Sequence, residues 1–148
     1  AYRCKDCGIG GLWCQSCVIS AHRFNPLHRI EGWNGEFWAR WSLKALGLRI
    51  QVGHPPGEAC PSPQCAPNDD FIILDSDSVY EVGLDYCNCE KTVPAIQQLL
   101  RARLFPATII HPRSTATSRV LETFQMLSHT GKVSGHEFMV AIQRRTDN

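Results

Sequence analysis

Apolar positions change period along the chain, and the changes divide it into segments. Leu48-Arg49-Ile50-Gln51-Val52 alternates with period two, residues 71–74 form a short apolar run behind Asn68-Asp69-Asp70, and residues 79–86 alternate again. Alternation places every second side chain on one face of a strand, so the pattern predicts three strands. The turn Asp75-Ser76-Asp77-Ser78 joins the last two into an antiparallel hairpin, with residues 48–52 as a third strand. Beyond residue 92 the period lengthens. Residues 93–104 carry Ile96, Leu99, Leu100 and Leu104 on one helical side, with Gln97, Gln98, Arg101 and Arg103 elsewhere, and Phe105-Pro106 stops the helix. Residues 114–127 repeat the pattern through Val120, Leu121, Phe124 and Leu127, capped by Ser114, Thr115 or Thr117. After a break at Gly131, residues 134–144 make a further helix, opened by Ser134 and Glu137 in a capping box. The fold class is α+β, with a three-stranded antiparallel sheet and C-terminal helices.

Residues 1–33 follow neither period and hold chemistry instead. Cys4, Cys7, Cys14, Cys17, His22 and His28 read C-x-x-C, six residues, C-x-x-C, four residues, H, five residues, H. A C-x-x-C turn sets two sulfurs side by side, so that both reach one tetrahedral ion while nearby N–H groups hydrogen-bond the thiolates. Two pairings compete. In an alternating cross-brace Cys4 and Cys7 join His22 and His28, and Cys14 and Cys17 await two ligands from before Ala1 or from elsewhere in the fold. In the other, the four cysteines form one tetrad and the histidines only pack. The alternating scheme is preferred. A short helix over 18–23 carries His22, Asn25-Pro26 ends it, and 27–33 is extended, giving a small B-box or treble-clef-like zinc lobe. Domain organisation is then 1–33 as the zinc lobe and 34–148 as the sheet with its helices, in one integrated unit.

A second group clamps the sheet. Cys87-Asn88-Cys89 is a C-x-C that cannot readily close on itself as a disulfide, so each thiol seeks another partner. His54 and Cys60, flanking the turn Pro55-Pro56-Gly57, supply the remaining two ligands of a site with three sulfurs and one nitrogen. Cys65, among Pro61, Pro63 and Pro67, is read as a free thiol in an irregular loop. Both groups read as structural zinc, two to three ions in all, because no H-E-x-x-H and no H-x-E with a following P-C-x-x-C is present. No catalytic residue is assigned. Asp75 and Asp77 read as turn formers, not as metal-nuclease carboxylates.

With 148 residues, 43% of them hydrophobic, the chain can bury a real core, and no run of 18 apolar residues predicts a membrane span. The absence of a signal-peptide pattern argues for an intracellular zinc protein over a disulfide framework, and the start without Met suggests a fragment. The net charge of +1 hides a division. Residues 1–50 carry seven Lys/Arg against three Asp/Glu, residues 51–100 one against eight, and residues 101–148 seven against three. Basic ends beside zinc modules suit nucleic acid, and Arg101, Arg103, Arg144 and Arg145 are the candidate contacts. Trp33, Phe37, Trp38 and Trp41 are expected to pack the zinc lobe against the rest. His111, His129 and His136 receive no role.

Tyr2-Arg3-Cys4, Cys7, Cys14, Cys17, His22, Pro26-Leu27-His28-Arg29-Ile30-Glu31, Trp33-Asn34-Gly35, Leu46-Gly47-Leu48, Gly53-His54, Cys60, Asp70-Phe71, Cys87-Asn88-Cys89, Gln98-Leu99-Leu100-Arg101 and Phe105-Pro106-Ala107-Thr108 follow one another in an order that resembles the CxC-type cysteine cluster domain associated with KDZ (Kyakuja, Dileera and Zisupton) transposases of fungi. The resemblance supports grouping His54 and Cys60 with the C-x-C. It implies a nuclear, noncatalytic zinc module of a transposase-like protein, with DNA or chromatin as partner and no membrane or small-molecule substrate. It also implies that the transposase's catalytic carboxylates lie beyond Asn148. A B-box-like module for protein interaction or self-association is the alternative, and a RING-like ligase or a metal nuclease the weakest.

Overall fold

The computed structural model describes residues 1–8, 10–55, 57–89 and 93–147. A small sheet comes first: β1 (Tyr2–Cys4), β2 (Ile30–Trp33) and β3 (Trp38–Trp41) pair antiparallel in that order. Between β1 and β2 lies α1 (Gln15–Ala21), whose Val18 is fully buried against Ile30, Leu43, Leu46 and Leu48. This cluster draws on residues from Tyr2 to Leu48.

The larger sheet is built around one long strand. β7 (Val79–Cys87) pairs with β6 (Phe71–Leu74) in the expected antiparallel hairpin, and further along the same side with β5 (Pro63–Cys65). On its other side lies β4 (Arg49–Gln51). With partners on both sides, β7 buries Tyr80, Val82, Leu84, Asp85 and Tyr86, while Glu81 stays exposed. Beyond β6 the order continues through β9 (Ser114–Thr117) to β8 (Leu104–Pro106). Three helices complete the chain: α2 (Ala95–Arg101), α3 (Ser118–Gly131) and α4 (Gly135–Asp147).

The α+β class and the three strand segments stand, in a sheet larger than the periodicity shows. β4 runs parallel to β7, because the long connection from Gln51 to Phe71 lets the chain cross before the hairpin begins. Residues 63–65, expected as irregular loop, form an edge strand, a place where proline's missing N–H costs no ladder bond. Residues 114–117, expected at a helix start, are strand β9, whose parallel pairing supplies partners to the free edge of β6. Thr117 then caps α3, its hydroxyl accepting from the Val120 N–H at 3.2 Å. That helix runs through the expected break to Gly131, and Lys132 ends it in the left-handed conformation. The helix expected over 93–104 is shorter, and Leu104 begins β8 instead. Leu100, Leu121 and Leu127 are half-exposed although the periodicity points them inward. The capping box on α4 forms as expected, with Glu137 N donating to Ser134 Oγ at 3.2 Å and Ser134 N donating to Glu137 Oε2 at 2.9 Å.

Two buried carboxylates tie neighbouring elements together. Asp85 accepts from Arg49 Nε at 2.9 Å, and Gly83 leaves room for that guanidinium, since a Cβ there would sit 2.9 Å from Arg49 Nη1. Asp75, besides accepting from Ser76 N in the expected turn, is 1% exposed and accepts from Thr117 Oγ1 at 2.7 Å and from Arg119. The aromatic set differs from expectation: Trp33 and Phe37 stay substantially exposed, because the small sheet buries only the face toward Val18, and Trp41, on that face but outside its core cluster, is 40% exposed. No helix among the described residues is long and apolar enough to cross a membrane.

Candidate metal centres

α1 and the small sheet assemble the first quartet. Cys4 ends β1, Cys7 follows in the next turn, His22 caps the C-terminus of α1, and His28 precedes β2. Their four donor atoms lie within 4.8 Å of one another. Cys4 Sγ is 3.5 Å from His28 Nδ1, and Cys7 Sγ is 3.5 Å from His22 Nε2 and 3.6 Å from His28 Nδ1. A tetrahedral zinc with ordinary Zn–S and Zn–N bonds has S···N edges of about 3.5 Å and S···S edges of about 3.8 Å, so this donor set fits that ion.

The supporting contacts orient the donors. His22 Nδ1 donates to the Val18 carbonyl at 2.8 Å, which leaves the Nε2 lone pair facing Cys7. Asp6 N donates to Cys4 Sγ at 3.4 Å, and the Asp6 carboxylate pins Arg29, Nε donating to Oδ1 at 3.0 Å. Burial pushes the His28 imidazole below its ordinary value, helped by the neighbouring His22, which favours the neutral, ligating form. Burial also pushes the Cys4 thiol up to about 11, against the Asp6 N–H that lowers it. A metal taken up here must displace that proton, so binding weakens in acid.

The second quartet sits at the end of the large sheet. Cys87 closes β7, Cys89 follows, and His54 and Cys60 come from the segment after β4. His54 Nε2 is 3.1 Å from Cys87 Sγ and 3.6 Å from Cys89 Sγ, and Cys60 Sγ is 3.6 Å from Cys89 Sγ. These donors also lie within 4.8 Å of one another. The Cys89 N–H, donating to Cys87 Sγ at 3.4 Å, is the main cause that brings the Cys87 thiol down to about 7. Pro56, part of the expected Pro55-Pro56-Gly57 turn, lies outside the described residues.

Sequence reasoning missed the residues that brace this quartet. Gln51 Oε1 accepts from Cys60 N at 2.8 Å. Gln98, expected on the polar side of its helix, is buried because its amide reaches the backbone of Cys87. The helical period gives no signal for this burial; a buried amide must find partners, and the end of β7 supplies them. Gly53 takes φ +93°, and a Cβ there would lie 2.5 Å from Cys87 Cβ.

Cys14 and Cys17 join neither quartet. They are exposed at the start of α1, where Cys17 N donates to Cys14 Sγ at 3.4 Å, and no group of three or more donors includes them among the described residues. The Ser16 hydroxyl hydrogen-bonds Cys14 Sγ at 3.2 Å and, with Cys17, brings its thiol down to about 7. Cys65 is exposed on β5, outside both quartets. Arg101 ends α2, Arg103 follows with φ +57°, and both line an open cleft that also touches His28 and His54. Arg144 and Arg145 occupy the last turn of α4. All four arginines are exposed.

The family model described as CxC2 like cysteine cluster associated with KDZ transposases matches residues 43–148. The second quartet lies wholly inside the matched stretch, and the first precedes it. No curated protein and no solved structure gives a significant match to the chain.

Proposed function

The chain belongs to the CxC2-like cysteine cluster family associated with KDZ transposases, and from that premise we propose that it is a noncatalytic, nuclear zinc module that recognises DNA or chromatin for a transposase. The observation that carries the reading is the pair of Cys/His quartets, each with four donors for a tetrahedral ion. Four protein ligands complete such an ion and leave no position for a reacting water, so zinc here holds the fold together. Cys4, Cys7, His22 and His28 would hold one ion, and His54, Cys60, Cys87 and Cys89 the other. The cysteine cluster is a domain associated with the transposase, and the strand-cutting chemistry belongs to a separate catalytic region.

Charge supports the choice of partner. Arg101 and Arg103 share their cleft with Arg23, between the two quartets. Arg103 keeps a left-handed backbone that a glycine would adopt at less cost, which suits a side chain retained for contact. An electrophoretic shift of duplex DNA across a salt series tests the reading. Binding falls as salt rises, and charge reversal at Arg101 and Arg103 weakens it and lowers the salt slope by about one for each phosphate that is no longer neutralised. Reversal at Arg144 and Arg145 shows whether α4 shares in the binding. Absence of a shift at low salt, with self-association on a sizing column, would instead favour a protein-interaction module.

A further inference from the structure

The small sheet has two unlike faces. Cross-strand pairing of Tyr2 with Gly32, Cys4 with Ile30, Gly32 with Ala39 and Ile30 with Trp41 puts those side chains on the face that packs toward Val18. The pairs Arg3–Glu31, Glu31–Arg40 and Trp33–Trp38 put the remaining side chains on the opposite, open face. There Trp33 is 47% exposed, and Phe37, in the connecting turn, is 58% exposed. The Trp33 and Trp38 ring centroids lie 5.6 Å apart. The Arg3 guanidinium lies over the Trp38 ring, 4.3 Å from its centroid.

We propose that this open face is a stacking platform for the bases of a single-stranded nucleic acid. The inference rests on the nucleic-acid reading above and adds a second binding surface, distant in sequence from Arg101 and Arg103. Three observations choose the occupant. The Arg3 guanidinium carbon sits 4.3 Å over the Trp38 ring centroid, so this indole already takes part in a cation–π contact at the open face. Trp33, Phe37 and Trp38 line neither the cleft beside the quartets nor the smaller one under Trp41, and the Trp33 and Trp38 rings stand at 58° to one another on the open face. Cations border it: Arg3 and Lys5 both reach the single carboxylate of Glu31, and Arg40, tethered by hydrogen bonds to Ser78 and Thr146, adds a third positive charge at its edge. Aromatic rings beside cations are the combination that holds unpaired bases and their phosphates, since every base has a face to stack.

The test titrates the zinc-loaded chain with an oligothymidylate single strand and, separately, with a duplex, while following tryptophan fluorescence. The single strand quenches the emission. Trp33→Ala and Trp38→Ala each weaken single-strand binding by at least about fivefold, and Trp38→Phe, which keeps a flat ring, retains most of it. Zinc content and circular dichroism confirm that each variant is folded, and the duplex shift is unchanged in all three. The inference is overturned if the wild type shows no quenching, if the alanine variants bind the strand as the wild type does, or if they alter only self-association. A duplex that binds beside a single strand that does not removes this inference alone. Failure of both removes the nucleic-acid reading with it.

Discussion

Gln98 holds Cys87 by both of its backbone polar groups: Cys87 N donates to Gln98 Oε1 at 2.8 Å, and Gln98 Nε2 donates to the Cys87 carbonyl at 2.9 Å. The same amide nitrogen reaches the Val93 carbonyl at 3.2 Å. The helix that carries Gln98 thereby fixes the strand end that presents two of the four donors in the second quartet. Gln98→Ala strips those partners and is expected to cost about 1–3 kcal/mol of stability. Denaturant unfolding of the zinc-loaded protein, read beside zinc release to a chelator, measures it. A variant as stable as the wild type that releases zinc at the same rate would remove Gln98 from this role.

Gly53 makes the same corner possible from the other side. Its φ of +93° and the 2.5 Å approach that a Cβ would make to Cys87 both exclude a larger residue. Gly53→Ala is expected to weaken zinc retention at the second quartet while leaving the first intact. Native mass spectrometry during chelator titration would then show a species holding one zinc, and simultaneous loss of both ions would contradict this.

Cys14 is expected to be the most reactive of the exposed thiols outside the quartets. The Ser16 hydroxyl and Cys17 bring its thiol down to about 7, so it carries more thiolate at neutral pH than an ordinary cysteine. Brief alkylation of the zinc-loaded protein followed by peptide mass spectrometry should label Cys14 before Cys65, and Ser16→Ala should slow the labelling. Equal rates at both cysteines would refute the assignment.

Asp75 links stability to pH. Burial pushes its carboxyl up, but the Arg119 guanidinium, the Thr117 hydroxyl and the Ser76 N–H together hold it below the ordinary value of 3.8. A carboxyl depressed in the folded state contributes stability that is fully present above its unfolded value and is lost as pH falls through the folded one. Asp75→Asn should therefore be less stable than the wild type at neutral pH, with the difference shrinking below pH 3.8. Paired denaturation curves across the acid range decide this, and a difference constant with pH would exclude the linkage.

Much of this arrangement is legible where it is encoded locally. Alternation finds β4 and β7, a short apolar run finds β6, the capping box finds the start of α4, and the cysteines and histidines mark ten candidates, of which the fold gathers eight into two quartets. What escapes depends on the whole fold. Residues 63–65, 114–117 and 104–106 become strands because β7, β6 and then β9 offer open edges, and nothing within three or four residues encodes that. Gln98 reads as polar surface until β7 ends beside it. Burial is the natural expectation for the tryptophans because aromatic surface usually is buried, yet only one face of the small sheet meets a core.

An anomalous-scattering map recorded at the zinc absorption edge tests the central claim most directly. Two peaks are expected, one bonded by Cys4, Cys7, His22 and His28 and one by His54, Cys60, Cys87 and Cys89. A peak held jointly by Cys4, Cys7, Cys14 and Cys17, or a map without a peak at either quartet, would contradict the account.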